Sequence, residues 1–218
     1  MVKISPSLLS ADFTRLGEDI VSVRTAEYLH FDVMDGVFVP NISVGLPVLE
    51  AVRRVTDAIL DVHLMIIEPV RYAGRFARAG ADIVTFHIEA DSPDGISAAI
   101  DEVLRLGKRP GLAIKPATPA ESVAPYIDKL GMVVVMAVEP GYSGQKFMPE
   151  ALPKIRALRD MIDARGSGCE IEADGGINAE TAALCIEAGA SVLVSGSDLF
   201  NSADRAARIR RLRGDLGA

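Results

Sequence analysis

The sequence has little cysteine, less positive than negative charge, and no long apolar run. Only two cysteines, Cys169 and Cys185, occur in 218 residues. That excludes a disulfide framework, and their spacing fits no metal motif. They read as buried thiols of a reducing compartment. Basic residues number 23 against 30 acidic ones, for a net charge of −7. A broad nucleic-acid surface is therefore not expected. No apolar stretch approaches the ~20 residues of a membrane span, so no membrane partner is expected either. The opening "MVKISPSLLS" enters a strand-like run without an apolar signal core, which points to the cytoplasm.

What is present suits a soluble protein with a sizeable core: 49% hydrophobic and 24% charged residues. Short β-branched runs alternate with amphipathic stretches eight times. The strand candidates cover residues 3–7, 28–34, 59–65, 82–88, 109–115, 132–138, 169–174 and 191–196. Between them lie helical patterns, with Phe13, Leu16, Ile20 and Val23 on one face and Leu152, Ile155, Leu158 and Ile162 on another. Asn178 reads as a helix N-cap and Gly189 as the stop of the same helix. "AGAD" (79–82) and "AGAS" (188–191) repeat one device, a glycine ending a helix just before a strand. Apolar strands separated by helices indicate a parallel sheet covered on both faces. With no linker or composition break, the expectation is a single (β/α)8 TIM barrel spanning residues 1–218. A doubly wound open sheet would more usually show fewer strands and a glycine-rich first turn.

Alternation along a barrel strand sends every second side chain inward. In "YLHFDVM", Leu29, Phe31 and Val33 share one face, and His30, Asp32 and Met34 the other. Asp61, His63 and Met65 repeat this pattern, as do Glu172 and Asp174. These polar residues fall toward the C-terminal ends of strands, where barrel active sites are built. His30 and Asp32, two apart on one face, suit two ligands of one metal ion. Mixed imidazole and carboxylate donors suit Zn²⁺, Fe²⁺, Mn²⁺ or Co²⁺ without choosing among them. The third histidine, His87 in "TFHIEA", competes with His63, and spacing does not separate them. Asp35 falls on the Phe31 side and reads as a turn residue or a support behind the site, not as a ligand.

Three glycine-bearing turns, in residues 139–147, 174–176 and 195–197, end strands six, seven and eight. Backbone N–H groups of such turns bind anions, and barrels often hold phosphate after strands seven and eight. The set points to a phosphorylated substrate. Lys115 ends strand five and raises a rival chemistry, Schiff-base formation with a carbonyl. The arginines of residues 205–213 decorate the last helix.

Taken together, "ISPSLLSADF", "HFDVMDGVFVPN", "HLMIIEP", "VEPGYSGQKFMPE", "ADGGIN" and "SGS" resemble the ribulose-phosphate 3-epimerase family over nearly the whole chain. The related allulose-phosphate epimerases share most of these motifs. The resemblance implies a ribulose-phosphate-binding type of TIM barrel. It implies metal ligation by His30, Asp32, His63 and Asp174, which resolves the tie in favour of His63. It also implies an acid–base pair of Asp32 and Asp174, with Ser7, His63, Met34, Met65 and Met136 lining the substrate. Phosphate would be held by Gly141, Tyr142, Ser143, Gly144, Gly175, Gly176, Gly196 and Ser197. Tyr142 and Ser143 depart from the family's usual turn, Val37 replaces a common histidine, and "TAE" replaces the usual residues before strand two. The ligands and bases are intact.

The implied reaction interconverts D-ribulose 5-phosphate and D-xylulose 5-phosphate by proton transfer at C3 through an enediolate. One divalent ion per subunit is expected, zinc first, with Fe²⁺, Mn²⁺ or Co²⁺ as alternatives. A homo-oligomer that takes a phosphorylated ketose is expected. The alternatives are a D-allulose 6-phosphate 3-epimerase, a Schiff-base aldolase using Lys115, and a non-catalytic phosphosugar-binding barrel.

Overall fold

In the computed structural model, which describes residues 1–215, eight strands form one all-parallel sheet. They are β1 (Lys3–Pro6), β2 (Tyr28–Met34), β3 (Ile59–Met65), β4 (Ile83–His87), β5 (Arg109–Ile114), β6 (Met132–Met136), β7 (Glu170–Asp174) and β8 (Val192–Ser195). Their spatial order is β1-β8-β7-β6-β5-β4-β3-β2. The seam between β1 and β2 is spanned by a single parallel bridge from Ser7 to His30. This is the expected eight-stranded barrel, with strand limits within two residues of those read from the sequence.

The helices that cover it are α1 (Leu16–Ser22), α2 (Leu46–Arg53), α3 (Ala73–Arg78), α4 (Pro93–Arg105), α5 (Ala151–Ala164), α6 (Ala179–Ala188), α7 (Ser197–Phe200) and α8 (Arg205–Leu212). Local chemistry explains their limits. Asn178 caps α6 by accepting from the Glu180 and Thr181 N–H groups, while the Thr181 hydroxyl accepts from Asn178 N–H. Gly189 ends the same helix at φ 110°, a left-handed position that glycine adopts at little cost. Ser92 caps α4, and Pro93 occupies its first position, where no donor is lost.

Two local expectations fail. Between β5 and β6 there are only two 3₁₀ turns, Ala120–Val123 and Ile127–Lys129. Pro116, Pro119 and Pro125 punctuate that stretch and leave no room for an uninterrupted helix. Phe13 does not share the buried face of Ile20 and Val23. It lies in a 3₁₀ turn before α1 and is 48% exposed.

The apolar interior forms two shells. Leu29, Phe31, Val33, Leu60, Val62, Leu64, Ile171 and Ala173 point outward and pack against the helices. Inside the barrel, Ile83, Ala113, Met132, Val134 and Val192 form a plug. The plug divides the interior polar residues into a floor at the N-terminal ends of the strands and a mouth at the C-terminal ends.

Candidate active site at the C-terminal mouth

Parallel register aligns the inward-facing residues of neighbouring strands. His30 lies opposite Asp61, Asp32 opposite His63, and Met136 opposite Asp174. The result is one cluster in which ligand atoms of His30, Asp32, His63 and Asp174 all lie within 4.8 Å of one another. His30 Nε2 is 3.2 Å from Asp32 Oδ1 and 3.7 Å from Asp174 Oδ2. His63 Nδ1 is 3.5 Å and 3.7 Å from the same two oxygens. Both ring nitrogens are buried and lack a hydrogen-bond partner. Two unpartnered imidazole nitrogens and two carboxylate oxygens facing one another form a donor set that fits a divalent cation. These are the four residues that the resemblance implied.

The surrounding groups orient this set. Ser7 donates its hydroxyl proton to Asp32 Oδ2 at 2.7 Å, leaving Oδ1 directed at the imidazoles. His30 Nδ1 lies 2.8 Å from Asp61 Oδ2 and 3.4 Å from Glu172 Oε1. An Nδ1–H donated to Asp61 leaves Nε2 aimed at the cluster. Alternation places Asp61 and Glu172 on the inward face without assigning them a role. The structure makes them the support beneath His30.

Electrostatics separates the two mouth carboxyls. Burial pushes Asp32 up, but the attraction of the nearby His30 and His63 outweighs it and holds its carboxyl well below the usual range. Asp174 is pushed up to about 6, chiefly by burial, with Asp32 and Asp61 adding repulsion against the pull of His30. Burial opposes charge on His30, yet Asp32, Asp61 and Glu172 raise its pKa well above normal. Glu172 is also raised well, by burial and by Asp61. The cluster thus demands positive charge, and a bound cation meets that demand more fully than a proton.

His87 does not join the cluster. Its Nε2 contacts His63 Nε2 at 3.0 Å, on the far side of that ring, and its Nδ1 faces Glu89 Oε2 at 3.2 Å. Burial lowers the His87 pKa to about 4. Asp35 behaves as a turn residue, accepting from the Val37, Phe38 and Ile67 N–H groups.

Above the cluster opens a cavity of about 510 Å³. Its walls include Ser7, Asp32, Met34, Met65, Met136 and Asp174, and beyond them Gly141, Tyr142, Ser143, Gly144, Gly175, Gly176, Gly196 and Ser197. The three glycine-bearing turns therefore border one cavity. Gly176, at φ 65°, leaves no room for a side chain, since a Cβ would sit 2.5 Å from the Phe147 backbone nitrogen. Asn41 donates from Nδ2 to the Gly141 carbonyl at 2.9 Å, and the Tyr142 hydroxyl reaches the Pro40 carbonyl at 3.1 Å. These bonds account for "FVPN" as a brace on the 141–144 turn. Asn178, Asp198 and Arg208 also line the cavity. Sequence reading gave them no place there, because α6, α7 and α8 bring them in from outside the strand pattern. Lys115 is absent from these walls. Its ammonium lies 3.8 Å from the centre of the Phe38 ring, which leaves the Schiff-base reading without a site.

The eight-stranded parallel barrel, with a buried His/Asp cluster beneath glycine-bearing turns at its C-terminal mouth, defines a class: the TIM-barrel enzymes. A family model described as "Ribulose-phosphate 3 epimerase family" matches residues 3–200, and the chain belongs to that family. The ribulose-phosphate 3-epimerase of Bacillus subtilis is 48% identical over 217 residues, covering 98% of this chain and 99% of the relative. The enzyme of the same name from Synechocystis is 44% identical over 214 residues, covering 97% and 93%. Among solved structures, KGPDC from Streptococcus mutans superposes with a TM-score of 0.75 at 15% identity, covering 99% of this chain and 97% of that one. That likeness speaks for the fold alone.

Proposed function

We propose that this isomerase interconverts D-ribulose 5-phosphate and D-xylulose 5-phosphate, with Asp32 and Asp174 as its acid–base pair. The observation that carries the reading is the meeting of Asp32, Asp174 and two unpartnered histidine nitrogens within 4.8 Å, directly beneath the cavity. The names of its relatives favour the pentulose phosphate over the hexulose.

Inverting a carbon beside a ketone requires a proton to leave one face and another to arrive on the opposite face. Two carboxyl groups from different strands can flank that carbon, as β2 and β7 supply here. Their environments push them apart, with Asp32 held low and Asp174 raised to about 6. An inversion that runs in both directions asks each carboxyl to take a proton in one direction and give one in the other. His30, Asp32, His63 and Asp174 would hold a divalent cation, zinc first, which when bound polarises the ketone oxygen and stabilises enediolate charge. The glycine turns would anchor the phosphate and so fix C3 between the carboxyls. Met34, Met65 and Met136 would exclude water without offering an acidic proton to the carbanion. The catalytic unit is one barrel in a cytoplasmic homo-oligomer. The exposed apolar side chains of Val37, Ile42 and Ile67 support the assembly, which sizing chromatography tests.

Incubation of metal-replete protein with ribulose 5-phosphate in D₂O should yield xylulose 5-phosphate and deuterium at C3. Absence of exchange would sink the reading, and faster turnover of allulose 6-phosphate would move it to the hexulose enzyme.

A further inference from the structure

His87 and Glu89 are left over by the reaction, yet they form a continuous line that runs from the buried His63 and His87 to Glu89 nearer the surface. His63 Nε2 meets His87 Nε2 at 3.0 Å, and His87 Nδ1 meets Glu89 Oε2 at 3.2 Å. The two imidazole planes are 26° apart, with ring centroids at 5.0 Å. The far end of the line is fixed. Glu89 Oε1 accepts from the Lys115 backbone N–H at 2.9 Å and is also bonded by the Thr118 hydroxyl. The Phe38 ring, centred 4.8 Å from that of His87, covers the line on one side.

We propose that Glu89, acting through His87, fixes the tautomer of His63 that presents Nδ1 to the metal. The logic follows from donor and acceptor types alone. A carboxylate oxygen only accepts, so His87 places its proton on Nδ1. Its Nε2 is then an acceptor, and His63 must donate from Nε2–H. That leaves the lone pair of His63 on Nδ1, the unpartnered nitrogen facing Asp32 and Asp174. His30 is set the opposite way, with Nδ1 on Asp61 and Nε2 toward the cluster. The two histidines thus reach one point through different nitrogens because different carboxylates hold their far sides. His87 and Glu89 are positioning residues and touch neither substrate nor metal. The inference rests on the metal reading of the site given above.

Glu89→Gln tests it by reversing the line. The Lys115 N–H still requires an oxygen, so the amide nitrogen takes the place facing His87 and donates to its Nδ1. His87 then carries its proton on Nε2 and pushes His63 to the Nδ1–H tautomer, which blocks the ligand position. With zinc as a diamagnetic probe, long-range ¹H–¹⁵N spectra of histidine-labelled protein report on only three imidazoles. In the zinc-loaded wild type, His63 should be protonated at Nε2 and His87 at Nδ1. Competition with a chromophoric chelator should show zinc binding weakened about 10- to 100-fold in Glu89→Gln, with the metal-free melting midpoint little changed. Wild-type His87 protonated at Nε2, or a folded Glu89→Gln with unchanged zinc affinity, would overturn the relay alone. A wild type that binds no zinc would overturn the metal reading together with it. If Glu89→Gln fails to fold, the wild-type spectrum decides by itself.

Discussion

Both ends of the barrel interior are polar, and β2 and β7 build both. At the floor, Tyr28 and Glu170 meet Lys3 and Arg109. The Tyr28 hydroxyl donates to Glu170 at 2.7 Å and accepts from Lys3 at 3.0 Å and from Arg109 at 3.1 Å. Both cations also pair directly with the Glu170 carboxylate. Four residues further along the same strands, Asp32 and Asp174 face His30 and His63, and two ring nitrogens are left unpartnered. The floor groups satisfy one another's hydrogen bonds, whereas the mouth keeps two imidazole nitrogens without a hydrogen-bond partner. Buried polar atoms are normally hydrogen-bonded, so the end that leaves two ring nitrogens unsatisfied marks itself as the functional one.

The sharpest break in this comparison is the loss of a mouth carboxyl. Asp32→Asn or Asp174→Asn should each lower turnover by about 10²–10⁴-fold, read as the rate of xylulose 5-phosphate formation, while the fold survives. A variant with a near-normal rate would remove that residue from the acid–base role. Metal removal comes next. Returning the ion at about 100 times its Kd should stabilise the wild type by roughly 2.7 kcal/mol, seen as a raised melting midpoint. Floor variants should keep that gain and mouth variants should lose most of it.

Glu170→Gln attacks the other end. It leaves Lys3, Arg109 and Tyr28 short of an acceptor and should cost about 1–3 kcal/mol in urea unfolding, with turnover changed only a few-fold. A strong loss of rate without loss of stability would erase the distinction between the ends.

The pH dependence should carry opposite signs. Burial raises Glu170, but bonds from Lys3, Arg109 and Tyr28 outweigh it, so its folded pKa is lowered. Its contribution is complete above the unfolded value of about 4.3 and is lost as pH falls through the folded value. The gap between wild type and Glu170→Gln should therefore close in acid. Asp174, raised to about 6 in the metal-free protein, does the reverse. Its cost is absent below its unfolded value of about 3.9, grows up to about pH 6 and then levels off. Metal-free Asp174→Asn should thus be more stable than wild type at pH 7, by on the order of 1–3 kcal/mol, and equal to it near pH 4. The smallest effect is expected from Met65→Leu at the rim of the mouth. This near-isosteric change should shift stability by less than about 1.5 kcal/mol, and unchanged stereochemical fidelity would remove any special role for sulfur.

Much of the mouth was legible because strand alternation is a local rule. Once residues 28–34 read as a strand, His30, Asp32 and Met34 had to share a face, and β3 and β7 followed. What alternation does not show is which inward residues meet across the barrel, since that depends on register. Alternation marks Asp61 and Glu172 as inward carboxylates, yet their contact with His30 arises only when β2, β3 and β7 close around one axis. His87 against His63 is the same case. Strand spacing left them equivalent, and the structure puts His63 Nδ1 in the cluster and His87 behind it. The absence of a helix between β5 and β6 is signalled by three prolines in that stretch, against the eightfold repeat.

By itself the sequence determined the parallel barrel, the inward placement of the site residues and, through its motifs, the family. Periodicity and turn chemistry act within a few residues, so they survive without coordinates. The tertiary structure decided which buried charges are paired and which are not. It joined Glu170 to Lys3 and Arg109, left the His30 and His63 nitrogens open, and set Glu89 behind His87. Pairing of charges depends on distances between strands far apart in the chain, and those distances exist only once the barrel has formed.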